Sequence, residues 1–314
     1  MKALPFYVVL LVAGPAVVSV SPSGAETKGK ASAVPRAFAS PEEAAMGLAE
    51  AIRSEDGGML VAVLGPGSES LLRSGDAVAD RAERGRFLNR FDEAHRIEEV
   101  SAGKAVLSVG KEEWPLPIPI VKKEDRWVFD AVEGKEEILD RRIGRNEIAT
   151  IQVMLAIVDA QREYAMKDRD GDGLLEYAQR FRSDPGKRNG LFWVTKEGEE
   201  PSPLGPLAAR AMEEGYRRKE GGERPSPYYG YLFRMLKAQG KDAPAGAYDY
   251  VVQGKMIGGF AVVAYPVQYG NSGVMTFLVN HEGVVYQRDL GSETEKTAKA
   301  MKEFDPGQDW KRVE

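Results

Sequence analysis

Along this chain the apolar positions change period several times, and each change marks an element. Residues 3–20 are almost continuously apolar. From "SPEEAAMGLAEAIRSED" (residues 40–56) onward they return every three or four positions, the spacing of helices with one buried face. Ser40 has the chemistry of an N-cap, Pro41 stands at the first helical position, and Glu43 completes a capping box. Ala45, Leu48 and Ile52 share a face. "GGMLVAVLG" gives a second short helix or turn, and a third runs from about Asp76 to Arg96 with Phe87, Leu88 and Phe91 as its stripe.

The period then shortens to two. "AVLSV" (105–109), "PLPIPIV" (115–121) and "RWVFDAV" (126–132) are strand signals. Pro115, Pro117 and Pro119 share one parity, so their missing N–H groups would all face one edge. That places the middle strand at the border of its sheet. Helices followed by a small antiparallel sheet give an α+β unit over 40–132, whose order resembles cone-shaped folds of the nuclear-transport-factor-two type.

A second unit is expected over 135–310. Leu139, Ile143, Ile151, Leu155 and Val158 recur at helical spacing, with Tyr164 and Ala165 closing the stripe, so one long helix should run to about Lys167. A region rich in Pro and Gly follows. Then 228–239, 258–266, 273–280 and 283–290 read as strands of a four-stranded antiparallel meander, and a charged helix from about Glu293 to Glu303 closes the pattern.

Composition adds the compartment. Lys2, the apolar run and the small residues Ser23-Gly24-Ala25 form a Sec-type signal peptide over 1–25, cleaved after Ala25, with 26–39 as a polar linker. The expected location is periplasmic or secreted, with no membrane span left after cleavage. The chain has no Cys, so disulfides, thiolate metal sites and Cys nucleophiles are excluded together. Charge is −5, with 43 Lys and Arg interspersed among 48 Asp and Glu, which favours neither nucleic acid nor an anionic membrane.

Chemistry is sparse. "DRDGDGLLEYAQ" (168–179) puts Asp168, Asp170 and Asp172 at alternate positions, then Gly173 where a calcium loop bends. Leu174 would offer its carbonyl and Glu176 stands at the ninth position. Gln179 replaces the bidentate Glu of the twelfth, so the expected cofactor is a weakly held structural calcium. As a bare turn at a helix C-terminus the same carboxylates would repel one another. A triad would need His95 or His281, both better explained as surface or hairpin residues, and "YGNSGVM" lacks the nucleophile-elbow context for Ser272. No catalytic and no cofactor-binding residue is assigned. Eight tyrosines between Tyr228 and Tyr286 are mostly at core spacing, with a recognition face near "YYGY" and "YDY" as the alternative.

"FASPEEAA", "WPLPIPIV", "RRIGRNE", "SPLGPL", "MIGGFA" and "YGNSGVMTF" are similar to an uncharacterised family of exported bacterial proteins, domain of unknown function 2950, over roughly residues 38 to 310. That resemblance implies no activity. The second half also resembles the soluble domains of type IV pilins and pseudopilins. However, its long helix carries Arg141, Arg142, Arg145 and Glu147 and cannot serve as an apolar filament stalk.

The expected role is therefore a non-catalytic cell-envelope protein that binds or assembles with an envelope protein or glycan. The alternative is a periplasmic hydrolase or small-ligand enzyme using the N-terminal domain or the interdomain cleft. The interior of the first half discriminates. A pocket with converging polar groups favours the alternative, and a space filled by Phe87, Phe91, Trp114 and Trp127 favours the binder.

Overall fold

A computed structural model describes residues 35–216 and 226–313. The expected signal peptide and most of the expected linker lie outside the described residues. The first helices form where the caps said they would. In α1 (Pro41–Arg53), Glu43 N–H donates to Ser40 Oγ at 3.2 Å, and the Glu43 carboxylate reaches back to Ala39 N–H at 2.7 Å. The reciprocal pair closes one residue earlier than the usual capping box. α2 (Gly57–Leu64) and α3 (Glu69–Leu72) are short, and α4 (Ala77–Glu93) starts on the buried N-cap Asp76, whose Oδ1 takes the Val78 and Ala79 amides.

α4 stops three residues short of expectation, because the chain turns into a strand absent from the sequence reading, β1 (His95–Ser101). All its residues but Ile97 are exposed, so it lacks the alternation that reveals a strand. β1 pairs with β2 (Lys104–Val109), β2 with β4 (Ile120–Lys123), and β4 with β5 (Arg126–Phe129), all antiparallel, while β3 (Trp114–Pro115) pairs with β2 beyond β4.

The proline segment is therefore not a border strand. Leu116 still donates to Leu107 O at 2.7 Å, but Pro117 and Pro119 break the ladder. The chain resumes as β4 in the sheet interior, with partners on both sides. Phe38 bonds its backbone to Trp127 beyond β5, and its ring is buried where a Cβ on Gly47 would stand 2.5 Å away.

α5 (Lys135–Tyr164) has 30 residues, about 45 Å of helix. Its start is pressed against the proline segment: a Cβ on Gly134 would lie 2.6 Å from Pro117 O. The buried face is Asn146, Thr150, Val153, Met154, Ile157, Val158, Gln161 and Tyr164. Leu155, expected inside, is 42% exposed; the stripe is partly polar, which hid its phase.

After α5 come the Asp/Gly loop and α6 (Gly205–Glu213), and then the strands. β6 (Tyr231–Leu236) is followed by the short pieces β7 (Ala238–Gln239), β8 (Tyr248–Asp249), β9 (Val251–Val252) and β10 (Lys255–Met256). β11 (Ala261–Pro266), β12 (Met275–Asn280) and β13 (Tyr286–Asp289) complete the expected meander with β6, in the order β6-β11-β12-β13.

Every residue of β11 is buried, as cover on both faces requires. α5 and α7 (Thr294–Ala300) both pack on it. The closing helix is shorter than expected, and the chain adds β14 (Glu303–Phe304) beside β7 and β15 (Lys311–Arg312) beside β13. The whole is α+β, helical early and strand-rich late. One apolar core lies under α1, α2 and the first sheet, and the other between α5 and the meander.

Candidate functional site

Two of the quoted motifs meet where the halves join. On α5, "RRIGRNE" faces the loop "YGNSGVM" before and into β12. Arg142 spreads its guanidinium over the Ser70 and Leu71 carbonyls and Asn271 Oδ1. Asn146 donates to Ser272 O at 2.9 Å, and Glu147 Oε1 accepts the Val274 and Met275 amides, each at 2.9 Å. The buried Tyr231 hydroxyl donates to Met275 O at 2.9 Å. A Cβ on Gly273 would overlap it at 2.1 Å, so glycine alone fits there. Ser272 thus has a structural place: its Oγ accepts from Gln268 N–H at 3.0 Å, and no histidine stands beside it.

A second knot lies across the same seam. Asp76, 1% exposed, takes the Tyr216 hydroxyl at 2.8 Å and the Gly230 amide at 2.9 Å on the oxygen not used for capping. Burial and the Asp76 charge both push the Tyr216 hydroxyl pKa up, so it stays a donor. Tyr228 and Tyr229 hydroxyls meet Glu214, and the three rings pack edge-on or tilted within 6.4 Å. The tyrosines of "YYGY" therefore face inward, with Tyr231 and Tyr250 fully buried; Tyr248 and Tyr269 are the exposed exceptions.

Between these two clasps the seam is open. A cavity of about 510 Å³ lies among α1–α4, the proline segment, the start of α5 and α6. Its floor is apolar: Leu48, Ile52, Leu60, Leu71, Leu116 and Ile118 line it. Its polar lining is unusual in composition, with seven arginines, no Lys or His, and three carboxylates, Asp80, Glu83 and Glu214.

Glu83 is shared by Arg86 and Arg145. Burial alone would raise its pKa, but the two guanidinium groups outweigh burial and hold the carboxyl below its ordinary range. Glu214 pairs with Arg210 at 3.0 Å, and Asp80 accepts Ser74 N–H. At one side of the mouth Trp114, 43% exposed, has Arg90 5.1 Å and Arg141 5.9 Å from its ring centre. Its indole N–H donates to Glu112 at 2.8 Å, which fixes the ring. Of the aromatics expected to fill this space, Phe91 is in the core and Trp127 packs near Phe38; Phe87 and Trp114 line the cavity without closing it.

In the Asp/Gly loop the backbone curls around its first carboxylate. Asp168 accepts the Gly171 and Gly173 amides at 2.8 Å, and these bonds hold its carboxyl below the ordinary range. Gly171 and Gly173 have φ of +77° and +85°, the left-handed region that glycine enters freely. Oxygens of Asp168, Asp170 and Asp172 come within 4.8 Å of one another.

Of the remaining expected ligands, Glu176 lies near them and Gln179 does not. Gln179 donates to Gly254 O at 2.6 Å and accepts from Lys237. Residues 174–178 form neither helix nor strand, so the expected helix does not follow the loop, and Leu174 is 48% exposed. Sequence reasoning missed Lys255. Its ammonium reaches Asp170, Asp172 at 2.5 Å and Glu176 at 3.4 Å, and these carboxylates push its pKa up. Neither histidine enters a site. His95 stacks on Phe91 at 4.0 Å, and His281 lies edge-on to Tyr250 with Nδ1 buried and unpaired.

Among the described residues no helix is long and apolar enough to cross a membrane. No curated protein and no solved structure matches the chain. Residues 35–313 match the family described as "Protein of unknown function (DUF2950)", and the chain, with its clasped halves and arginine-lined cleft, belongs to that family.

Proposed function

We propose that this protein is a non-catalytic binding protein of the cell envelope, and that the cleft between its halves receives a small ligand. The cavity itself carries the reading: its volume is in the range of small-molecule sites, with an apolar floor and convergent polar groups at the mouth. An open pocket with converging polar groups is the outcome that favoured the enzyme alternative; the reading takes from that alternative the cleft and the small ligand, in place of the envelope protein or glycan expected from sequence, and departs from it on catalysis.

Catalysis has less support. The lining offers no histidine, and its carboxyl Glu83 is held ionised by arginines, which suits neither a general acid nor a strong base. Export is part of the proposal and rests on residues 1–25. N-terminal sequencing of the protein recovered from cells should begin at Glu26.

A neutral, environment-sensitive dye, N-phenyl-1-naphthylamine, tests the cleft. It should bind saturably at one site, and Leu116→Trp or Leu72→Trp, which place an indole in the cavity, should abolish binding while the fold persists by circular dichroism. Absence of saturable binding, or binding untouched in both folded variants, would remove this reading.

For the Asp/Gly loop, calcium is retained as a proposal in a weaker form than the spacing implied. A Ca²⁺ there would have to displace the Lys255 ammonium, so millimolar affinity is expected.

A further inference from the structure

The charges around the cleft are not balanced. The chain as a whole is acidic, yet the cavity lining carries seven guanidinium groups against three carboxylates. Each carboxylate is already engaged, with Glu83 serving two arginines and Glu214 serving Arg210, while Arg142 is spent on carbonyls and Asn271. Arg90 has no carboxylate partner among the described residues; its contact is the Trp114 ring. Arg141 meets Glu137 at 2.7 Å and the same ring. Beside Trp114, then, Arg141 is paired with Glu137 and the indole with Glu112, and Arg90 is the guanidinium without a carboxylate, at the edge of an apolar hole.

Such an arrangement repels itself when empty and is relieved by an anion. The residue type narrows the anion further. Every lining cation is Arg and none is Lys, and the planar guanidinium fork matches carboxylate and phosphate oxygens in pairs, where an ammonium acts as a point charge. A purely polar anion would leave the leucine floor wet, and a purely apolar molecule would leave the arginines uncompensated.

We propose that the cleft ligand is an amphipathic anion, with an apolar body on the Leu60, Leu71 and Leu116 floor and a single oxyanion head, carboxylate or phosphate monoester, at Arg90 and Arg141 beside Trp114. This rests on the cleft being a ligand site and adds what that site selects. Arg142 and Arg145 are positioning residues: one clasps the halves and the other, through Glu83, ties α5 to α4.

The test is displacement of N-phenyl-1-naphthylamine by amphiphiles of one chain length, each below its micelle concentration: dodecanoate, dodecyl phosphate, dodecan-1-ol and dodecyltrimethylammonium. The expected result is that at least one anion displaces the dye at a concentration at least tenfold lower than the alcohol. The cation should be the weakest, and the advantage should shrink as salt rises. Arg90→Gln with Arg141→Gln should erase the anion advantage while dye and alcohol affinities stay within twofold. Arg84→Gln is a lining control outside the Trp114 pair and should retain it.

If alcohol and both anions compete equally, or the double variant keeps the preference, the inference is overturned and the cleft reading stands. If the dye itself finds no site, both fall. Preference for the phosphate over the carboxylate, or the reverse, identifies the head.

Discussion

Removing the Glu147 side chain should open the seam between α5 and β12, and the size of the effect follows from its bonds. One oxygen, Oε1, accepts the Val274 and Met275 amides at 2.9 Å each, at the point where the loop enters the meander. Hydrogen bonds to an ionised acceptor contribute about 1.5–3 kcal/mol each, and a partly buried amide left unpaired forfeits a comparable amount. Water reaches this half-buried site, so Glu147→Ala should cost about 2–4 kcal/mol in total.

With an unfolding entropy of about 2.1 cal/mol/K per residue, the 279 residues from 35 to 313 give about 0.6 kcal/mol/K. The melting temperature should then fall by about 3–7 °C. Glu147→Gln keeps a carbonyl oxygen in the same place and should lose less than about 1 kcal/mol, or roughly 2 °C. Differential scanning calorimetry of the three proteins decides it. Equal losses for Gln and Ala would mean that charge and not the shared acceptor matters. An Ala variant within about 1 °C of wild type would refute the clasp.

Three further outcomes are expected. Gly144→Ala, with nothing within 4 Å of the new methyl and a helical position, should stabilise by about 0.5–1 kcal/mol, whereas Gly134→Ala, pressed on Pro117, should destabilise by about 1–3 kcal/mol in chemical denaturation. Burial depresses the His281 pKa, so the unfolded chain takes up the proton first as pH falls. The stability this group contributes is complete above the unfolded value, about 6.5, and is lost as pH drops toward the folded one; His281→Phe should flatten that part of the melting profile between pH 7.5 and 5.5 relative to wild type. Lys255→Met removes the ammonium from the acidic loop, so millimolar Ca²⁺ should raise the melting temperature of the variant more than that of wild type. Equal response of the two proteins would show that Lys255 and the ion do not compete.

What was legible in the sequence was what is local. Ser40 and Glu43 announced their helix because capping is settled within four residues, and the meander announced itself because β6, β11, β12 and β13 are apolar runs broken by turns and follow one another in space. β1 escaped because an exposed edge strand needs no alternation, and the proline segment misled because only Leu116 obeyed the parity argument before Pro117 bent the chain.

In the Asp/Gly loop the bend was readable from Gly171 and Gly173, but Lys255 is more than eighty residues on and joins through tertiary packing alone. The cleft is the extreme case. Leu60, Phe87, Leu116, Arg141 and Arg210 carry no signal as a set, since five separate segments bring them together. "RRIGRNE" and "YGNSGVM" marked family membership without disclosing that they bond to each other. The pilin resemblance rested on the order of helix, loops and meander; that order is present, and no solved structure carries the likeness further.

The most direct measurement is a crystal structure of the protein with 12-bromododecanoate, read by the anomalous signal of bromine. The account predicts one bromine peak deep among Leu60, Leu71 and Leu116, with carboxylate density against Arg90 and Arg141. Bromine found only on the outer surface, or a chain lying in the cleft with its head turned away from those arginines, would contradict it.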